Sequence, residues 1–136
     1  GIIFAGLPIA GTDTGDYLVR NLVGIDPGRG IVAIGDLIES GNPIMFCRRD
    51  TKSAVEDMDR MLGSIKQGLY TKPRGGVYYS CLGRGANLFG PDSEEVKMIK
   101  AAFGDIPLVG FFGNGEISHN RLYGYTGVLT VFTTSE

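Results

Sequence analysis

Apolar positions in this chain follow two different periods, and the change from one to the other marks out the elements. Ile2 to Ile9 is an apolar run that ends in the Gly/Thr/Asp-rich stretch from Gly11 to Asp16, the pattern of a strand followed by a loop. Tyr17 to Leu22 fits either a strand or a helical turn. Asp26-Pro27-Gly28-Arg29-Gly30 is turn chemistry, because proline presets φ and glycine permits positive φ. Ile31 to Ile38 then reads as a second strand, Ser40-Gly41-Asn42-Pro43 as another turn, and Ile44 to Arg48 as a third strand. With a turn between them, these two segments are expected to pair as an antiparallel hairpin.

From Thr51 the spacing becomes helical. Ala54, Val55, Met58, Met61, Leu62 and Ile65 fall on one face, while Lys52, Glu56, Asp59 and Lys66 take the opposite side and Asp50 is placed to cap the first turn. Gly68 and Pro73-Arg74-Gly75-Gly76 close the segment and lead into Val77 to Cys81, a fourth strand. A second helix is expected after Asp92. Its Asp-x-x-Glu spacing to Glu95 resembles a capping arrangement, its stripe is Val96, Ile99, Ala102 and Phe103, and Gly104 stops it. Leu108 to Phe112 and Tyr125 to Phe132 are the fifth and sixth strands, the latter rich in β-branched and aromatic residues. The order predicts an α+β fold: a largely antiparallel or mixed sheet of about six strands with two main helices packed on it. The strands at 77–81, 108–112 and 125–132 are expected to share that sheet.

Composition narrows the function classes. A chain of 136 residues is long enough to bury one ordinary core, so a single domain spanning 1–136 is expected. The net charge of −2, with acids and bases spread along the chain, offers no basic stripe, which argues against a nucleic-acid partner. No apolar run approaches the roughly 20 residues that span a bilayer, and no basic region precedes the opening run as in a signal peptide. No membrane partner is therefore expected, and a cytoplasmic location is. Cys47 and Cys81 are too few for a disulfide framework and are read as two reduced thiols. The lack of an initiator Met suggests a piece of a longer protein. Gly 22 is about twice average usage, and these glycines lie between apolar runs, where they mark tight turns and close backbone approaches.

Two glycine-rich stretches carry the candidate chemistry. Ser80 to Gly90 places Cys81, then Gly83-Arg84-Gly85 and Asn87, directly after a strand; turned backbone amides and the Arg84 fork suit an anionic group. Gly110 to His119 also runs from a strand into glycines, at Gly113-Asn114-Gly115, and ends on the carboxylate of Glu116. If the two loops converge, they hold a zwitterion such as an amino acid. Set against this, Gly83-Arg84-Gly85 is neither a Walker loop nor a dinucleotide fingerprint, and the glycines with Arg84 equally suit a purely structural turn. Cys81 as a nucleophile needs a base, and His119 is the only histidine, so a catalytic pair is not favoured. Two cysteines and one histidine lie at no zinc-like spacing, and no cofactor is implied. Arg49, at a strand-to-helix junction, is either a solvated neighbour of the Asp50 cap or a further lining residue.

At these residues the chain resembles the C-terminal module of the FIST proteins, the family named for F-box and intracellular signal transduction. The matching words are Ser80-Cys81-Leu82-Gly83-Arg84-Gly85 with Leu88-Phe89-Gly90, then Pro107 to Phe112 with Gly115-Glu116-Ile117, and the Gly124-Tyr125-Thr126 region; the similarity extends back through Arg20-Asn21-Leu22, Gly24-Ile25-Asp26 and Arg49-Asp50. Ser118-His119-Asn120 departs from the family's usual Gly-Pro after Glu-Ile. The resemblance implies a sensory module that binds small ligands such as amino acids, joined to signalling or ubiquitin-ligase adaptor parts, with no established catalysis. It also implies a partner, an N-terminal FIST module in the full-length protein. The site residues it suggests are Cys81, Gly83, Arg84, Gly85, Gly115 and Glu116; Asn114 and Arg49 are added from the local pattern. The leading expectation is a small-ligand sensory domain. A protein-interaction module, and a thiol-dependent enzyme using Cys81, are the alternatives.

Overall fold

The opening apolar run forms β1 (Ile3–Pro8) in the computed structural model, which describes residues 2–11 and 15–134. Residues group into two units divided after Arg49. In the first, β1 lies between β2 (Tyr17–Asp26) and β4 (Met45–Arg48), and β2 also pairs with β3 (Ile31–Ile34), giving the order β3-β2-β1-β4 with every pair antiparallel. The ambiguous segment at Tyr17 is thus a strand. The expected hairpin between the Ile31 and Ile44 segments is not formed: β3 folds back on β2 across the Pro27-Gly28 turn, with Gly30 at φ +65°, and β4 joins the far edge beside β1. The shorter turn wins because it closes a loop of a few residues. Of the loop expected at Gly11 to Asp16, residues 12–14 lie outside the described residues.

The second unit begins with α1 (Thr51–Gln67). Asp50 is extended (φ −146°), and its carboxylate accepts from the Ser53 N–H at 3.0 Å, satisfying one of the first-turn amides that have no helical partner. Asp50→Ala is expected to cost about 1 kcal/mol, read as a lower thermal midpoint; an unchanged midpoint would mean that the Ser53 amide finds another acceptor. Next come β5 (Gly75–Cys81), the short α2 (Ala86–Phe89), α3 (Glu94–Phe103) and β6 (Leu108–Gly113), then β7 (Glu116–Ser118), β8 (Arg121–Tyr123) and β9 (Gly127–Phe132). β5 is the centre of a three-stranded sheet, parallel to β6 and antiparallel to β9. The three strands expected to share a sheet do so. The segment carrying α2 and α3 is the long crossover that a parallel pair requires, and β7 and β8 form a hairpin of their own.

Helices cover one face of this sheet. Met58 and Leu62 of α1, Tyr78 of β5, Phe89 of α2, and Ile99 and Phe103 of α3 are the buried cluster, with Leu108, Leu129 and Val131 packed against it. Two details of α3 differ from the sequence expectation. Asp92 and Ser93 both take positive φ (71° and 59°), Ser93 makes no side-chain cap, and Glu95 is buried among polar partners, so the capping arrangement does not form. Val96, expected in the buried stripe, is 46% exposed, because the stripe runs through Glu95, Ile99 and Phe103 instead.

Candidate functional site

The parallel register of β5 and β6 carries both glycine-rich stretches to the same edge of the sheet. Cys81 stands opposite Gly113 at the carboxyl ends of the strands; the Leu82 N–H donates to the Gly113 carbonyl at 2.8 Å and the Cys81 N–H to the Thr126 carbonyl at 2.9 Å. Crevices outside the carboxyl ends of parallel strands are habitual ligand sites, since loops diverge there and leave backbone amides unpaired. Glu116, the first residue of β7, lies in this corner. It is 2% exposed under a thin cover of protein, and neither carboxylate oxygen has a hydrogen-bond partner of good geometry among the described residues. Burial raises its pKa; the nearby amides of Thr126 and Gly115, the Arg84 charge and the Cys81 thiol pull in the other direction without cancelling it. At Gly115, φ is +152° and a Cβ would sit 3.0 Å from Leu122 Cδ1, so the turn that aims Glu116 requires glycine.

Arg84 is close enough to act on Glu116 electrostatically, but its bonds are made elsewhere. Its Nε donates to Glu95 Oε1 at 2.8 Å, with side-chain exposures of 10% and 5%. The same carboxylate accepts from the Tyr78 hydroxyl at 2.7 Å, the Ser80 hydroxyl at 3.1 and 3.2 Å, and the Gly85 N–H at 3.0 Å. The guanidinium also lies 4.8 Å from the Phe89 ring centroid. Burial alone would lower the Arg84 pKa, but Tyr78 and Glu95 outweigh it and raise it, so Arg84 stays charged. Burial, aided by Glu95 and opposed by Arg84, pushes the Tyr78 phenol up to about 12, so it stays a hydroxyl donor. Glu95 is therefore saturated while Glu116 has no bond of comparable geometry among the described residues, and the two buried carboxylates share one guanidinium.

Beyond this corner the candidate residues scatter. Gly83 is half-buried in the turn after β5 and Asn114 is exposed between β6 and β7. Arg49 belongs to the first unit, where its guanidinium lies 6.0 Å from the Phe4 ring. His119 sits in the β7–β8 turn at φ +55°, with Nδ1 3.3 Å from the Ser118 hydroxyl, while the titratable neighbour of the Cys81 thiol is Glu116. Both cysteines are free thiols; burial raises that of Cys47, against a lowering hydrogen bond with Tyr17. Among the described residues no group of three metal-ligating side chains comes together, and no helix is long and apolar enough to cross a membrane.

Tyr78, Ser80 and Glu95 escaped the sequence reading as a polar cluster. The signal was present: Glu95 stands four residues before Ile99 on the face that also buries Phe103, and Tyr78 and Ser80 share the inward face of β5. Along the edge of β6 runs a cavity of about 530 Å³, walled by residues 108–112 on one side, by residues 92–96 on the other, and closed at its polar end by Tyr78, Ser80 and Gly85. Of the candidate residues, Gly85 lines it. A Cβ there would strike the Phe112 ring at 2.8 Å, and φ is +54°.

The sequence profile of the FIST C domain matches residues 2–119. An uncharacterized protein of Mycobacterium tuberculosis is 37% identical over 122 residues, 87% of this chain and 32% of that protein. An uncharacterized protein of Mycobacterium bovis is 31% identical over 128 residues, 91% of this chain and 33% of the relative. The chain thus spans about a third of the length of the curated relatives it matches. No solved structure matches. With most of its length inside that profile, the chain belongs to the FIST C domain family.

Proposed function

We propose that this chain is a sensory domain of a cytoplasmic signalling protein and that it binds a small amine-bearing metabolite, an amino acid or a close relative, at the carboxyl edge of β5 and β6. Membership of the FIST C domain family supports a signalling module in general terms. The observation that carries the finer reading is the buried carboxylate of Glu116, whose oxygens have no hydrogen bond of good geometry among the described residues. A buried carboxylate is ordinarily paired, because an isolated charge away from water is expensive. Here one guanidinium serves two buried carboxylates and is already bonded to Glu95. A ligand ammonium supplies the missing positive charge and the missing donors together, while the Arg84 and Gly85 amides, bonded to the Cys81 carbonyl and to Glu95, hold the loop beside it. Arg84 contributes its field from a fixed place, and Cys81 lies beside the ammonium as a soft neighbour, not as a nucleophile.

The pH dependence has a definite sign. A carboxyl group whose pKa is raised by folding favours the native state below its ordinary range, and that advantage is lost as pH rises through the raised value. Glu116→Gln, which removes the ionisation, is therefore expected to raise the thermal midpoint at neutral pH, with the gain disappearing in acid. Ligand binding runs the opposite way, because the ammonium needs the ionised carboxylate. In a thermal-shift panel of amino acids and related amines, the compound that stabilises the wild type should lose at least about tenfold in affinity on Glu116→Gln, as expected for one charge-assisted hydrogen bond. A compound that stabilises both proteins equally, or affinity that rises in acid, would overturn the reading.

A further inference from the structure

The cavity beside α3 is separate from the Glu116 corner, and its shape is set by an open strand edge. β6 pairs with β5 on one side, and no strand among the described residues lies on its other side. The ladder fixes which groups face outward. The Gly76 N–H bonds to the Pro107 carbonyl and the Leu82 N–H to the Gly113 carbonyl, so the odd-numbered residues of this segment spend their backbone groups on β5. In a parallel ladder the alternate residues then point theirs away. Leu108, Gly110 and Phe112 therefore present N–H and C=O groups to the cavity they line. At Gly110 the approach to β5 is so close that a Cβ would collide with the Tyr78 backbone, which keeps this stretch of edge free of side chain.

An exposed row of alternating donors and acceptors is met fully only by another extended backbone. The side chains of the groove add a second requirement. Its β6 wall is apolar, with Val109 and Phe111 largely exposed, whereas the facing wall carries the carboxylates of Asp92 and Glu94 at the start of α3. Glu94 is paired with Lys97 at 2.7 Å, so the exposed carboxylate of Asp92 is the negative charge this wall offers. We propose that this groove is a strand-addition site that takes an extended segment of a partner protein, pairing with the free edge of β6, alternating in apolar side chains and bearing a basic residue opposite Asp92. It is a surface for a peptide, distinct from the corner assigned to a small metabolite.

The test uses a labelled hexapeptide, Lys-Ile-Thr-Val-Thr-Val, and two forms of it N-methylated on one or the other alternate set of amides. Strand addition requires one set to face β6 and the other to face away. Methylation of one set is expected to lower affinity at least about tenfold, the loss of roughly one or more net hydrogen bonds, while methylation of the other leaves it within a few-fold. Asp92→Asn should weaken the unmodified peptide about two- to fivefold, and more so at low salt, as expected for neutralising one exposed charge. Amide chemical-shift changes should be confined to residues 108–112 and 92–96. Equal sensitivity to both methylated forms, no binding at millimolar peptide, or shifts centred elsewhere would overturn the proposal, as would a protein that closes this edge by dimerising with itself.

Discussion

Arg84→Ala is expected to destabilise the second unit by about 3–5 kcal/mol, the cost of removing one partner from a buried ion pair and leaving the other charged and covered. For a unit of this size that lowers the thermal midpoint by more than roughly 10 °C. The loss is not confined to one bond. Without the guanidinium, Glu95 faces Tyr78 and Ser80 as an uncompensated charge, the Phe89 ring loses its cation, and the carboxylate that holds the Gly85 N–H loses its counter-ion. A double-mutant cycle separates pairing from packing. Arg84→Met with Glu95→Gln keeps volume on one side and an acceptor for Tyr78 on the other, so the pair together should cost less than the sum of the single changes. A midpoint at the wild-type value for Arg84→Ala would show that the ion pair contributes nothing and would free Arg84 for a ligand. The sequence left both roles open for this residue. The geometry favours the one in which it holds the loop.

What the sequence disclosed depended on how local the signal was. α1 was legible because its apolar stripe and its Asp50 cap are written within a few residues of each other, and the same holds for β5, β6 and β9 as apolar runs bounded by glycine and proline. Pairing was not legible. The hairpin expected between the Ile31 and Ile44 segments lost to contacts of β4 with β1, some forty residues earlier in the chain, and no local rule announces such a partner. The parallel alignment of β5 with β6 is equally non-local, yet it is what places Cys81 beside Gly113 and brings Glu116 into the neighbourhood of Arg84. Glu95 shows a different limit: the spacing that suggested a cap was real, but a carboxylate at that position serves either the helix end or the core, and only the inward turn of Tyr78 and Ser80 decides between them.

Ile99→Ala in α3 should cost about 2–5 kcal/mol. Ile99 is 1% exposed and packs among Met58, Leu62, Tyr78, Phe89 and Phe103, so removing its branched end leaves a hole bounded by three helices and the central strand. Val96 stands one turn earlier on the same helix, in the stripe that the sequence alone would bury, but its exposure limits Val96→Ala to about 0.5 kcal/mol. Ile99→Val, which removes a single methylene, should fall between them at about 0.5–1.5 kcal/mol. Chemical denaturation of the three variants orders them by burial and not by helical periodicity; comparable losses for Val96→Ala and Ile99→Ala would mean that α3 is rotated from the orientation that points Glu95 at Arg84. The consequence reaches both proposed sites, because α3 carries the carboxylate that fixes the Gly85 turn and forms the wall facing the open edge of β6. Loosening its anchor at Ile99 is expected to weaken the peptide groove before it disturbs the Glu116 corner, whose neighbours Cys81, Gly115 and Thr126 belong to the sheet and its loops.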